Sequence, residues 1–113
     1  MVQVYGIKNC DSVKKAIRFL KSKEIEYTLH DFKSEAVACD KVHSWLEKSD
    51  IDTLFNKRGT TYRTLKLKEL NLDDTQKAEW LCKENMLIKR PVIEFNDSVI
   101  VGFNQNQYEE IFS

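Results

Sequence analysis

Residues 2–20 read VQVYGIKNCDSVKKAIRFL, and this stretch decides the fold class. It opens with a short β-branched strand broken by Gly6, and a polar, turn-prone segment of residues 8–12 follows. Apolar residues then recur at the i, i+3, i+4, i+7 spacing of an amphipathic helix that runs to about Lys23. These residues are Val13, Ala16, Ile17 and Leu20. The stretch therefore predicts a strand, a loop and a helix.

The two ends of the chain predict the remaining strands. Tyr27, Leu29 and Phe32 alternate with polar residues and predict a second strand. Because one helix joins it to the first strand, the pair should be parallel. Near the carboxyl end, residues 92–95 and 99–101 predict a hairpin that turns at Asn96-Asp97, with a short helix from about Asn104.

The middle of the chain predicts helices around a basic, irregular segment at residues 56–63. The order β-α-β, helices, β-β-α is that of an α/β, thioredoxin-like fold with an inserted helical region and a four-stranded mixed sheet. We expect one domain of 113 residues, with a core of about 1–35 and 86–113 and an insertion of about 36–85. Three helices are predicted in the middle of the chain. The first begins near Cys39 or Asp40, the second runs from Ile51 to Phe55, and the third begins at Asp73 or Asp74 and ends at Asn85.

Composition and charge narrow the function classes. Lys plus Arg and Asp plus Glu both number 18, so the net charge is zero and no global positive field attracts a phosphate backbone. No apolar run approaches the roughly 20 residues that span a bilayer, and no signal-peptide pattern opens the chain. We therefore expect a cytoplasmic protein with no direct nucleic-acid or membrane partner.

The spacing of the cysteines and histidines predicts neither a disulfide framework nor a metal site. Three cysteines is an odd number, and Cys39 and Cys82 are assigned to packing, although either is open to a role as a resolving thiol. His30 is placed in a strand and His43 on the polar side of a helix, with no nucleophile at helical spacing to either. We therefore expect no catalytic histidine and no metal.

Cys10 is the candidate for chemistry because it lies between the first strand and the first helix. The free backbone N–H groups and the dipole of that helix stabilise a thiolate there. The carboxylate of Asp11 opposes this effect if it points at the sulfur, whereas Ser12 can donate a hydrogen bond. The alternative is that Cys10 is a small buried apolar residue. The cations that favour the thiolate are Lys8, Lys14 and Lys15.

Three arginines are candidates for holding a carboxylate or an oxyanion. Arg58 and Arg63 lie in the irregular basic segment, and Arg90 immediately precedes Pro91, which is the single proline of the chain. A guanidinium binds such groups through two parallel hydrogen bonds. We rank Arg90 first, then Arg58 and then Arg63, with ordinary solvated arginine as the alternative.

Four blocks of the sequence resemble a known family. Residues 5–16 read YGIKNCDSVKKA, residues 58–65 read RGTTYRTL, residues 90–93 read RPVI and residues 101–103 read VGF. In these blocks the chain resembles the thioredoxin-fold arsenate reductase, Spx and YffB group, and is most similar to the YffB branch. The resemblance covers nearly the whole chain.

The resemblance implies a thiol oxidoreductase with a nucleophilic Cys10 and a cis peptide before Pro91, beside that cysteine. It implies glutathione as co-substrate, and a small thiol or an oxidised-sulfur compound as partner. Glutathione is anionic, so a cation is expected to contact its carboxylates. The residues predicted to bind substrate or thiol are Lys8, Asn9, Ser12, Arg58, Arg90 and Pro91.

Departures from the group decide between its branches. Spx-type regulators, which contact RNA polymerase, carry a Cys-x-x-Cys switch, but Val13 stands where the second cysteine would fall. Arsenate reductases of this fold carry two further arginines, which correspond to Asn56 and to about Gly102 here. Without those cations an oxyanion is bound poorly. A regulator that binds RNA polymerase without turnover is the alternative function, and arsenate reduction ranks third.

Overall fold

The structure is a computed structural model that describes residues 1–112. These residues form two compact units. The sheet unit comprises residues 1–31 and 90–112, and the helical unit comprises residues 32–89. The expected division of one domain into a core of about 1–35 and 86–113 and an insertion of about 36–85 stays a prediction.

Four strands and six helices form the regular structure of residues 1–112, together with two 3₁₀ turns. In chain order they are β1 (Val2–Gly6), α1 (Asp11–Ser22), β2 (Tyr27–Asp31), α2 (Cys39–Lys48), α3 (Ile51–Leu54), α4 (Thr60–Thr64), a 3₁₀ turn (Leu67–Leu70), α5 (Asp74–Lys83), a 3₁₀ turn (Asn85–Leu87), β3 (Val92–Phe95), β4 (Ser98–Val101) and α6 (Gln105–Phe112).

The sheet has the order β2-β1-β3-β4, and β1 is one of its two central strands. β1 is parallel to β2, with Val4 opposite Leu29, and antiparallel to β3, with Val4 also opposite Ile93. β3 and β4 are antiparallel neighbours. The predicted thioredoxin-like fold with a four-stranded mixed sheet is confirmed.

The core of the sheet unit follows from the two sequence periods. Alternate residues of β1 are buried, and α1 buries the predicted Val13, Ala16 and Leu20. Ile17 is only half-buried, whereas Phe19, which lies outside the predicted stripe, is buried because its ring packs edge-on against Tyr108 at 5.6 Å. One cluster of buried core residues in this unit comprises Val2, Val4, Ala16, Phe19, Leu20, Ile93, Ile100 and Tyr108.

The predicted hairpin turn is confirmed. Asn96 and Asp97 connect β3 to β4, and both have positive φ angles, 49° and 62°. A two-residue turn with two positive φ angles matches the right-handed twist of the strands it joins. The turn residues thus set the register of β4.

The helical unit buries a second apolar cluster and differs in detail from its prediction. Part of the segment expected to be irregular is helical, because α4 begins at Thr60 and its Tyr62 ring packs edge-on against Phe55 at 5.9 Å. This tertiary contact orders a single turn that local sequence does not indicate. α5 ends at Lys83, two residues before its predicted end. The buried apolar side chains are Phe32, Val42, Trp45, Leu54, Phe55, Leu67, Leu81, Leu87 and Ile88.

Helix lengths also bear on membrane insertion. Within residues 1–112, no helix combines the length and the apolar character that crossing a bilayer requires.

Candidate thiol site

Cys10 lies at the N-cap of α1. Its backbone is extended, at φ −142° and ψ 125°, and its carbonyl accepts the first helical hydrogen bond from the N–H of Lys14 at 2.9 Å. Its side chain makes no capping hydrogen bond, and the residue is half-buried. The thiol therefore stands at the positive end of the α1 dipole without being used to cap the helix.

The start of β3 lies at the same end of the sheet as Cys10. Tyr5, near the end of β1, is opposite Val92, the first residue of the antiparallel β3. Pro91 immediately precedes Val92, so it lies beside the end of β1 from which the Cys10 loop departs. The peptide bond between Arg90 and Pro91 is cis, which confirms this element of the resemblance.

Two hydrogen bonds connect Pro91 to the last helix. The N–H of Gly102 donates to the carbonyl of Pro91 at 2.8 Å, and the hydroxyl of Tyr108 donates to the carbonyl of Gly102 at 2.7 Å. Tyr108 is buried, and burial raises the pKa of its phenol well above the ordinary tyrosine value. The phenol therefore stays neutral and keeps donating to the carbonyl of Gly102. Through Gly102, α6 holds the segment that carries Pro91.

Gly6 allows the end of β1 to lie close to the first turn of α1 and to Arg90. A Cβ atom at Gly6 would lie 2.7 Å from Cγ2 of Val13 and 3.7 Å from Cβ of Arg90. The first distance is shorter than real Cβ contacts, and Val13 is fully buried at the start of α1. A side chain at position 6 would push against the first turn of the helix that Cys10 caps.

The other predicted residues of the Cys10 loop lie beside the cysteine. Lys8 and Asn9 are exposed and Ser12 is half-buried. The backbone N–H of Lys8 donates to Oδ2 of Asp31 at 3.3 Å, and Nζ of Lys14 donates to Oδ1 of Asn9 at 3.5 Å. These bonds connect the loop to the end of β2 and to the first turn of α1. The binding roles of Lys8, Asn9 and Ser12 stay predictions.

The predicted arginines belong to different units. Arg90 is in the sheet unit, where it is half-buried and its Nε atom is buried. Arg58 is in the helical unit and is exposed. Its N–H donates to Oδ1 of Asn56 at 3.0 Å, and its carbonyl accepts from Nη1 of Arg63 at 3.1 Å. The structure thus groups Lys8, Asn9, Ser12, Arg90 and Pro91 with Cys10 in one unit and assigns Arg58 to the other.

The expectation that the chain has no disulfide is wrong. Cys39 and Cys82 are bonded, with their Cα atoms 4.9 Å apart, and Cys10 is the free cysteine among the described residues. The 43-residue separation gives no local signal, because the two cysteines meet only through the packing of α2 against α5. While this bond is closed, neither Cys39 nor Cys82 holds a thiol that could resolve a mixed disulfide at Cys10.

One part of the expectation for His43 is wrong, because Cys39 does lie at helical spacing to it, whereas its lack of a catalytic role stays a prediction. Cys39 lies four residues before His43 on α2, and Nε2 of His43 is 3.7 Å from Sγ of Cys39. The ring nitrogen of His43 and the two sulfurs lie within 4.8 Å of one another, but a metal binds thiolates, so the closed disulfide leaves no cysteine ligand here. The i, i+4 spacing was visible in the sequence, because residues four apart share a helix face. The expectation that the chain holds no metal stays a prediction.

The fold and the site define a class. A four-stranded mixed sheet, a free cysteine at the N-cap of the first helix and a cis proline before the third strand describe a thioredoxin-fold thiol protein. The chain belongs to the ArsC family, whose model matches residues 5–111. This confirms the resemblance to the arsenate reductase, Spx and YffB group.

Individual relatives cover the full fold. An uncharacterized protein of Haemophilus influenzae is 39% identical over 114 residues, which cover 100% of both chains. A solved structure of a protein named YffB has a TM-score of 0.92 and 31% identity, and covers 100% of both chains. A protein of Listeria innocua named global transcriptional regulator Spx is 27% identical, covering 95% of this chain and 83% of its own.

Proposed function

We propose that the chain is a glutathione-dependent thiol oxidoreductase that uses Cys10 as its single nucleophile. The observation that supports this most is the position of Cys10, a half-exposed free thiol at the N-cap of α1 whose side chain is not used in capping. Reactive cysteines occupy such electropositive, partly exposed positions. A cytoplasmic location belongs to the same proposal.

The proposed reaction is thiol–disulfide exchange through a mixed disulfide. The Cys10 thiolate attacks one sulfur of a small-molecule disulfide, the S–S bond breaks, and the departing thiolate takes a proton from solvent. Glutathione thiolate then attacks the outer sulfur of the mixed disulfide and releases the Cys10 thiolate. The net result is one disulfide exchanged for another, with the enzyme returned unchanged.

Charge supports an anionic thiol as the second substrate. Glutathione carries two carboxylates, and two exposed lysines flank Cys10 in sequence, Lys8 in the loop and Lys14 in the first turn of α1. Arg90, which adjoins Pro91 at the same end of the sheet, is proposed to bind one carboxylate. Arg58 lies in the helical unit, so its carboxylate contact stays a prediction from the resemblance. These assignments predict a higher KM for glutathione in Arg90→Gln and Arg58→Gln.

The test starts from protein in which the Cys39–Cys82 bond is closed. Incubation with glutathione disulfide should attach one glutathione per chain, and peptide mass spectrometry should locate it at Cys10. Turnover of a small disulfide by glutathione should be retained in the double variant Cys39→Ser/Cys82→Ser, and it should be lost when Cys10→Ser is added to that variant. Equal turnover with and without Cys10 in this background would overturn the proposal.

A regulator is the second candidate function, and the Spx relative is the observation that favours it. The feature against it is Val13, which stands at the second position of a Cys-x-x-Cys switch and is fully buried. The regulator proposal expects RNA polymerase to be retained on immobilised protein, and retention to persist in Cys10→Ala. No retention of the polymerase at micromolar protein would exclude it.

Arsenate reduction has less support from the site. Of the two positions where the arsenate reductases carry further arginines, Asn56 is half-buried and accepts a hydrogen bond from the N–H of Arg58. The other, Gly102, is buried with a φ of 80°, a conformation that disfavours any side chain. We therefore expect no arsenate-dependent turnover with glutathione, and measurable turnover would reverse this order.

A further inference from the structure

A second sulfur site lies in the helical unit. Cys39 is the first residue of α2 and is exposed, and Cys82 is half-buried in the last turn of α5. With His43 they line an open groove of about 530 Å³, together with Thr75, Ala78, Glu79 and Lys83. The groove admits a small molecule to the disulfide. Exposed disulfides of this kind are the labile, regulatory or catalytic ones, whereas structural disulfides resist reduction by glutathione.

We propose that Cys39 and Cys82 form a reversible dithiol–disulfide couple that exchanges with small-molecule thiols and disulfides, independently of Cys10. The couple would constitute a second redox centre in the protein. Three observations support this couple: Cys39 is exposed, the imidazole of His43 lies beside it, and the groove opens onto both sulfurs.

The two sulfurs have different surroundings, and this assigns their roles. Sγ of Cys39 lies 3.7 Å from Nε2 of His43, which can accept the thiol proton, and it stands at the positive end of α2. Cys82 is less exposed and lies in the last turn of α5, where the helix dipole disfavours an anion. Cys39 is therefore the attacking thiol and Cys82 the resolving thiol.

The reaction balances with a small disulfide as the oxidant. Cys39 gives its proton to His43, and the thiolate attacks one sulfur of the small disulfide and expels its other half as a thiolate, which is protonated. Cys82 then loses its proton and attacks Sγ of Cys39, expelling the second small thiol. Two protein thiols become one disulfide while one small disulfide becomes two thiols. Two equivalents of a small thiol reverse these steps.

The test uses the full chain with Cys10→Ser, so that the outcome does not depend on the chemistry of Cys10. The protein is equilibrated with buffers of graded glutathione to glutathione disulfide ratio, quenched with N-ethylmaleimide and weighed by intact mass spectrometry. We expect one two-electron transition, from two maleimides per chain to none. A bond that stays closed in a large excess of reduced glutathione would overturn the proposal and identify a structural cross-link.

Two further variants test the roles within the couple in the same Cys10→Ser background. Cys82→Ser should accumulate a glutathione adduct at Cys39, and Cys39→Ser should form its adduct at Cys82 at least about tenfold more slowly. Circular dichroism verifies that both variants are folded. Equal rates would overturn the assignment of the attacking thiol.

His43→Ala tests the proton acceptor in the chain with both cysteines. It should slow both oxidation and reduction by at least about tenfold and leave the midpoint ratio unchanged. A merely structural role would instead move the midpoint. Unchanged rates, or a moved midpoint, would remove His43 from the mechanism.

Discussion

The two units each place a cysteine at the start of a helix, but they surround it differently. Cys10 is the N-cap of α1 in the sheet unit, where lysines are its sequence neighbours, and it is free. Cys39 begins α2 in the helical unit, beside His43, and is bonded to Cys82. The helix start alone therefore does not decide the chemistry of a cysteine. Its neighbours do, because they supply either cations for an anionic substrate or a partner sulfur and a base.

The units also hold their sites in different ways. The Cys10 site depends on strand pairing, on the hydrogen bonds through Gly102 and on the close approach at Gly6. The Cys39 site depends on a covalent bond between two helices. Substitutions that remove these interactions one at a time test this difference between the two units.

The largest expected effect is the loss of the covalent bond. The double variant Cys39→Ser/Cys82→Ser should lower the unfolding free energy of the oxidised chain by about 2–4 kcal/mol, because the bond closes a long loop in the unfolded chain. Urea unfolding without reductant measures the change. Cys10→Ser is the control and should not lower stability. Equal stability of double variant and parent would show that the bond contributes nothing to the helical unit.

The close approach at Gly6 gives the next largest effect. Gly6→Ala should cost about 1–3 kcal/mol, since its Cβ overlaps Val13 in the core. Combining it with Val13→Ala should cost less than the sum of the two single changes by at least about 0.5 kcal/mol.

Gly59→Ala is the matched change in the helical unit. Its Cβ would lie 2.8 Å from Nδ2 of Asn56, a half-exposed side-chain amide that can rotate away. A cost below about 1 kcal/mol is expected. Urea unfolding measures the loss of unfolding free energy in each variant. Equal losses at positions 6 and 59 would show that the Cys10 site is packed no more tightly than the segment around Gly59.

Removing the Tyr108 hydroxyl tests the hydrogen bonds of the sheet unit. Tyr108→Phe should cost about 0.5–1.5 kcal/mol at pH 7, because the carbonyl of Gly102 loses a donor. Burial raises the folded-state pKa of Tyr108, so the neutral form stabilises the fold. This contribution is complete below the ordinary tyrosine pKa of about 10 and is lost as the pH rises beyond it.

The pH dependence of the unfolding free energy separates the contribution of Tyr108 from those of the other tyrosines. Urea unfolding at pH 7 and at pH 10.5 should show the parent losing more stability than Tyr108→Phe over that interval. Parallel losses in the two proteins would mean that Tyr108 ionises equally in the folded and unfolded chains.

The smallest effect is at the start of α1. Serine is a preferred N-cap residue and cysteine makes no capping bond here, so Cys10→Ser should be more stable than Cys10→Ala by about 0.5–1 kcal/mol. For comparison, α5 already has a capping box of Asp73 and Gln76, and Asp73→Ala should cost about 1 kcal/mol. Thermal unfolding compares the variants. Equal stability of the Ser and Ala variants at position 10 would show that the N-cap is not available to a hydroxyl.

Sequence reasoning succeeded where the signal is local. The β1–α1–β2 order and the Asn96-Asp97 turn follow from residue periods and turn preferences, and both are confirmed. The position of Cys10 between β1 and α1 follows from the same local signals and is confirmed. Its catalytic role stays a prediction, because placement in a loop does not measure reactivity.

The failures concern contacts between distant segments. The bond between Cys39 and Cys82 depends on how α2 packs on α5, and α4 depends on the contact of Tyr62 with Phe55. No local pattern contains these contacts. The spacing of His43 from Cys39 is the exception, because two residues four apart on a helix are a local signal.

The order of synthesis gives the discontinuous sheet unit a particular consequence. β1 is made first, but its antiparallel neighbour β3 begins at Val92, and Tyr108 follows later still. On the ribosome, Cys10 is therefore translated long before the strand and helix that complete its surroundings. The helical unit is one continuous segment, so Cys39 and Cys82 have all their partners while the sheet still lacks half its strands. The surroundings of Cys39 and Cys82 are thus encoded in one continuous segment, whereas those of Cys10 need both ends of the chain.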